Sequence, residues 1–283
     1  MSRVRTPVPV DRKLRPLISL LTLAVFAIGC NSTPAPSTTT ARPTQARPTQ
    51  ATETTPTAGR EKQADRDESP TTTTTLLAAE TLPTGSSLIG QADADVEVYG
   101  GPQLVAPSHV LEAATILGSP RVFLVETGPI DGWVEVSLPV RPNGTTGWVR
   151  AGTLDLRVLD HAIFVDLSDR MLRVEIANEV VLETEVAVGS PQNPTPTGNY
   201  FVTDIVELTD PTGPWGPFAL GLSAFSDTIS EFNGGDGIIG IHGTNRPASI
   251  GQPVSLGCVR VPNEVAARLA ELVELGTPVE IQA

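Results

Sequence analysis

The segment "IHGTNRPASIGQPVSLGCVRVPN", residues 241–263, holds one of the three histidines and one of the two cysteines of a 283-residue chain. These are His242 and Cys258, 258 − 242 = 16 positions apart. A free cysteine is ordinarily a small buried hydrophobe, and a lone histidine is ordinarily structural. The surroundings argue otherwise here. Gly240, Gly243, Gly251 and Gly257 imply tight turns and close backbone approach. Ser255-Leu256-Gly257-Cys258 sets the thiol directly after a glycine, where main-chain N–H groups can face a substrate.

A thiol of ordinary pKa is only slightly ionised near neutral pH, and an adjacent imidazolium or guanidinium lowers its pKa. His242 and Arg260 are the residues able to do this. Arg260 shares a face with Cys258 if the segment is extended, and it cannot lose its charge. It suits either a substrate carboxylate or the thiolate, and a surface ion pair is the equal alternative. One Cys and one His without a third ligand at suitable spacing do not make a zinc site, and His109 and His161 lie in unrelated contexts. Serine catalysis is disfavoured because no G-x-S-x-G element is present, and Ser255 reads best as support for the loop.

His242-Gly243-Thr244 followed by Ser255, Gly257-Cys258 and Arg260 resembles the signature of the L,D-transpeptidase catalytic domain family. "VGSPQNPTPTGNYFV", residues 188–202, resembles that family's Pro-Thr-Pro-x-G strand-turn, and "WGPFALGLSAF" resembles the stretch leading to its active-site loops. Leu256 stands where many members carry histidine or lysine.

The resemblance, over about residues 158–283, implies a peptidoglycan enzyme. Cys258 would be its nucleophile and His242 its general base and acid. The Gly243 carbonyl would orient the imidazole, and the N–H of Cys258, with that of Gly257, would hold the oxyanion. Arg260, Asn245 and Ser255 would face substrate. The implied reaction forms 3-3 cross-links through a cysteinyl thioester with release of D-alanine, on stem peptides of peptidoglycan. No metal or cofactor is implied, and carbapenems would acylate the thiol. An L,D-carboxypeptidase or amidase on the same fold, and a non-catalytic wall-binding lipoprotein, are the alternatives.

Outward from the motif, strand-like runs rich in Val and Ile ("AIFVDLS", "MLRVEIAN", "VVLETEVAVG") precede it. One helix follows: Asn263 can cap "EVAARLAELVEL", with Val265, Leu269, Leu272 and Val273 on one face and Gly276 and Pro278 ending it. Residues 86–157 are also strand-like. Two runs flank Asn143-Gly144, a hairpin signal, and Trp133 and Trp148 each follow a glycine and precede a valine. This segment resembles bacterial SH3-like modules. The expected fold is therefore mainly β: a small SH3-like β-barrel at 86–157, then an L,D-transpeptidase-type β-sandwich domain with a C-terminal helix at 158–283.

Residues 31–85 are dominated by Thr, Pro, Ala and Ser, too poor in apolar side chains to offset the entropy of ordering, and read as a disordered linker. Residues 1–30 read as an export signal, with a basic start, an apolar run from Leu17 to Ile28, and Cys30 after Ala27-Ile28-Gly29. That ending resembles a lipobox, which implies lipidation of Cys30 and attachment to the outer face of the cytoplasmic membrane. Removing the signal takes away five basic residues and Asp11, giving 14 − 31 = −17. Such a charge repels nucleic acid and anionic headgroups, so membrane attachment is expected through lipid alone.

Overall fold

The computed structural model describes residues 82–232 and 235–283. The expected signal, the lipidation site Cys30 and nearly all of the 31–85 linker lie outside the described residues. Strands dominate, as the Val- and Ile-rich alternation requires, and no helix among the described residues is long and apolar enough to cross a membrane.

A first, antiparallel sheet comprises β1 (Ser87–Ala92), β4 (Val122–Ile130), β5 (Trp133–Ser137), β6 (Thr146–Arg150) and β7 (Leu154–Leu159), in the order β6-β5-β4-β1-β7. The hairpin β5–β6 turns at Asn143-Gly144, with Trp133 opposite Arg150. A ribbon of β2 (Val96–Val98) and β3 (His109–Leu111) joins it through reciprocal backbone bonds between Tyr99 and Trp148. Phe123, Val134, Val136 and Val149, all fully buried, centre its core. Trp133 is buried against the edge of Tyr99 with the Arg150 guanidinium over its face, which makes it a packing residue. Ser87 pairs with Leu159, so this sheet runs 159 − 157 = 2 residues past the boundary expected from sequence.

The second sheet has eight strands, and β12 (Gly198–Glu207) is its corner. The first half of β12 pairs with β17 (Pro278–Gln282), and its second half pairs with β13 (Phe218–Phe225) across a bulge near Thr203. A strand that changes partner midway folds one sheet into two facing layers. One layer holds β8 (His161–Asp166), β9 (Met171–Ile176), β10 (Glu179–Glu185) and β17; the other holds β13, β14 (Ile238–His242) and β16 (Val259–Arg260). Ile163, Leu172 and Val174 from the first layer meet Leu220, Leu222, Ile239 and Ile241 from the second in one core. Two short strands, β11 (Val188–Gly189) and β15 (Pro253–Ser255), pair in parallel beside it.

The helix α1 (Asn263–Leu272) inserts Ala266 and Leu269 into the core, with Val265 and Leu272 at its margin. Its N-cap is Pro262, not the expected Asn263. The Asn263 carboxamide oxygen instead accepts the Thr244 N–H at 2.7 Å, tying the helix start to the loop after His242.

The first sheet also grips the second. From the β5–β6 turn, Arg141 donates to the carbonyls of Ser226 (2.8 Å), Ile229 (3.1 Å) and Asp236 (2.8 Å). Asn143 exchanges two bonds with the Phe225 backbone, donating at 2.8 Å and accepting at 2.9 Å. The loop between β13 and β14 is thereby held at both ends. Arg141→Ala removes three bonds to carbonyls from an exposed side chain, so equilibrium unfolding of the whole protein should show a loss of about 1–2 kcal/mol. An unchanged unfolding midpoint would contradict the clamp.

Candidate active site

The pairing of β16 with β14 is parallel and sets Ile241 against Val259 and His242 against Arg260. Alternation does the rest. Val259 and Val261 are fully buried in the core, so Cys258 and Arg260 project from the opposite face, the one that carries His242. Residues 16 apart in sequence thus share one pocket of about 130 Å³, walled by Trp215, Phe232, Ile239 and Leu256.

The turn carrying the thiol is pinned from two sides. Ser255 Oγ donates to the Cys258 carbonyl (2.6 Å) and accepts the Gly257 N–H (3.1 Å). Thr195 Oγ1 donates to the Gly257 carbonyl (2.8 Å) and accepts the Gly189 N–H (2.8 Å). Gly257 has φ +117°, and a Cβ there would come within 2.9 Å of Ile239, so glycine is required on both counts. Gly243 is similarly enclosed: a Cβ would strike the Asn263 carboxamide and Gly216.

His242 is buried, and its Nδ1–H donates to the Gly243 carbonyl at 2.6 Å. In the neutral ring this leaves Nε2 as the unprotonated nitrogen. The Trp215 indole lies over the imidazole, ring centres 4.6 Å apart and tilted 36°. Burial lowers the imidazole to about 4; the Gly243 carbonyl opposes that shift and the Arg260 charge adds to it. Cys258 is free and half-buried. Burial pushes its thiol up, against the Gly240 N–H donated to its sulfur and the charge of Arg260. The resting pair is therefore a neutral thiol beside a neutral imidazole.

The structure qualifies three of the expected site residues. The Gly257 N–H is occupied by Ser255 Oγ and does not face the pocket as an oxyanion donor. Ser255 lines the Cys258 pocket but is almost wholly buried, with its hydroxyl committed within the turn that supports the thiol. Asn245 is exposed and outside the lining of the Cys258 pocket. Trp215 and Thr195 join the site without a role assigned from sequence, although the Thr between two prolines in "NPTPTG" is a visible polar anomaly. Among the described residues no group of three or more His, Cys, Asp or Glu could hold a metal ion.

Residues 160–281 match the L,D-transpeptidase catalytic domain family, YkuD. The Bacillus subtilis protein named "Putative L,D-transpeptidase YkuD" is 35% identical over 130 residues, 46% of this chain and 71% of that protein. The chain belongs to the L,D-transpeptidase catalytic domain family. A second B. subtilis relative of the same designation, YqjB, is 33% identical over 133 residues, 43% of this chain and 71% of its own. Among solved structures, the catalytic domain from an E. faecium L,D-transpeptidase is 25% identical, with a TM-score of 0.32, covering 44% of this chain and 97% of that one. Bdellovibrio bacteriovorus Bd1075 is 27% identical at a TM-score of 0.35, covering 44% of this chain; the match spans about half of that chain, 48%.

For this L,D-transpeptidase domain, the buried imidazole makes a direct prediction. An NMR titration of His242 should show the ring neutral down to about pH 4, and a midpoint near the ordinary value of about 6.5 would contradict the burial argument.

Proposed function

We propose that this chain is a peptidoglycan L,D-transpeptidase that forms 3-3 cross-links through a thioester on Cys258. The observation that carries the reading is the in-register face of His242, Cys258 and Arg260, with His242 Nδ1–H fixed on the Gly243 carbonyl. That bond leaves Nε2 as the base, with a backbone carbonyl in place of a third catalytic side chain.

Starting from a neutral pair, proton transfer accompanies attack and is not complete beforehand. Cys258 Sγ bonds to the carbonyl carbon at the L-centre of diaminopimelate in a donor tetrapeptide, while its proton passes to His242 Nε2. The tetrahedral oxyanion is held by the Cys258 N–H, since that of Gly257 is engaged by Ser255. Collapse breaks the bond to the terminal D-alanine, whose amine takes the proton from His242. An amine from an acceptor stem then attacks the thioester, loses a proton to His242, and returns the thiol. Trp215, its ring tilted 36° over the imidazole, favours the transient imidazolium through both transfers. Carbapenems would acylate the same sulfur.

The remaining architecture fits an extracytoplasmic enzyme with an export signal, a lipid on Cys30, a Thr/Pro-rich tether over 31–85 and an SH3-like module. The module's hold on the 226–237 loop favours positioning of the catalytic domain over a role as a free wall-binding unit.

Incubation with a diaminopimelate tetrapeptide should release D-alanine and give a 3-3 dimer detectable by mass spectrometry. Cys258→Ala should reduce the rate at least about a thousandfold. Tripeptide without dimer, even with excess acceptor, would make the enzyme an L,D-carboxypeptidase. Absence of D-alanine release would leave the wall-binding lipoprotein.

A further inference from the structure

The charge around Cys258 is one-sided. Residues 160–281 contain no lysine and five arginines: Arg170, Arg173, Arg246, Arg260 and Arg268. Arg173 pairs with Glu175 and Arg268 with Glu271, whereas Arg170, Arg246 and Arg260 have no carboxylate partner among the described residues, and the last two line one groove. Arg260 Nε is moreover buried without a hydrogen-bond acceptor. A guanidinium held this way in an acidic chain of net charge −13 lacks its counter-charge.

Arg260 also stands in the wall of two cavities at once. One is the Cys258 pocket. The other is an open groove that Arg260 shares with Arg246, Pro247, Ser249 and Gln252, and no acidic side chain lines it. Arg246 is set there by its backbone. Its N–H donates to Thr244 Oγ1 (3.0 Å), and its carbonyl accepts from Ser249 Oγ (2.7 Å) and Ser249 N–H (2.9 Å). The Cys258 pocket is small, about 130 Å³, so a tetrapeptide must also lie against adjoining surface.

We propose that Arg260 and Arg246 form a carboxylate-binding subsite that seats the acyl-donor peptide in the groove beside Cys258. This rests on the transpeptidase reading for the identity of the peptide. Two residues of extended strand separate Cys258 from Arg260, about 6.6 Å between their Cα atoms. The side-chain carboxylate of diaminopimelate is about six bonds, roughly 7 Å extended, from the scissile carbonyl, and the carboxylate of the leaving D-alanine is about three bonds away. Either can reach Arg260; the longer arm also reaches toward Arg246. Seating a carboxylate offsets the Arg260 charge that disfavours protonation of His242, so a bound donor makes the imidazole a better base.

The test is titration calorimetry on the full chain carrying Cys258→Ala, which separates binding from chemistry. Three peptides are compared: the tetrapeptide with free carboxylates, its amide at the diaminopimelate side chain, and its amide at the terminal D-alanine. One of the two amides should bind at least about tenfold more weakly than the free acid, and which one does so identifies the carboxylate. Adding Arg246→Gln should erase much of that difference, with Arg246→Lys restoring part of it. Equal binding of all three peptides, no binding of any, or a preference untouched by Arg246→Gln overturns the subsite. D-alanine release by the unsubstituted protein is measured alongside. Release without a carboxylate preference defeats the subsite alone. A preference without release defeats the transpeptidase reading and leaves the subsite.

Discussion

The site depends on one short parallel pairing, the two residues of β16 laid against the end of β14. A parallel partner needs a crossover connection, and the chain supplies it as the loop from Gly243 to Gly257, carrying a 3-10 turn at Pro247–Ser249 and the short strand β15. The register sends Val259 and Val261 into the core and leaves Cys258 and Arg260 on the face of His242. A slip of one residue would bury the thiol and expose the valines. The valines, both fully buried, oppose any such slip. Thr195 and Ser255 then fix the turn from outside the strand, so the thiol's position follows from core packing plus a few buried hydrogen bonds.

Electrostatics in this pocket balance burial against a single fixed charge. Burial favours the neutral form of both His242 and Cys258. Arg260 favours the thiolate but disfavours the imidazolium, so its unpaired charge assists one partner and hinders the other. A pre-formed ion pair is thereby disfavoured, and the Trp215 ring and the Gly243 carbonyl are the groups that contact the imidazole. The family's more usual histidine or lysine before the Gly-Cys pair would have placed another titratable group here. Leu256, half exposed at the pocket rim, presents apolar surface instead.

Much of this was legible in the sequence because it rests on local pattern. The glycine-rich segment 241–263, the β-rich runs, the Asn143-Gly144 hairpin and the C-terminal helix are all encoded within windows of about two dozen residues or fewer. What escaped depends on side chains reaching across the fold. Arg141 and Asn143 bind backbone 82 to 95 residues away, and nothing in "VRPNGT" reveals that. Asn263 has the local preference of a helix cap, yet its carboxamide meets the Thr244 amide, a tertiary partner that no propensity scale contains. The family resemblance implies that the Gly257 N–H faces the oxyanion and that Ser255, which reads from its own context as support for the loop, faces substrate. Their mutual hydrogen bond, two residues apart, is local but depends on a turn geometry the sequence leaves open.

The measurement that bears most directly on the whole account is intact-protein mass spectrometry after incubation with a carbapenem, on the unsubstituted protein, Cys258→Ala and His242→Ala. An activated acyl-accepting thiol predicts a stable single adduct on the first, none on Cys258→Ala, and markedly slower formation on His242→Ala. Absence of any adduct, with Cys258 also sluggish toward simple alkylating agents, would show the thiol to be an inert packing residue and contradict the account.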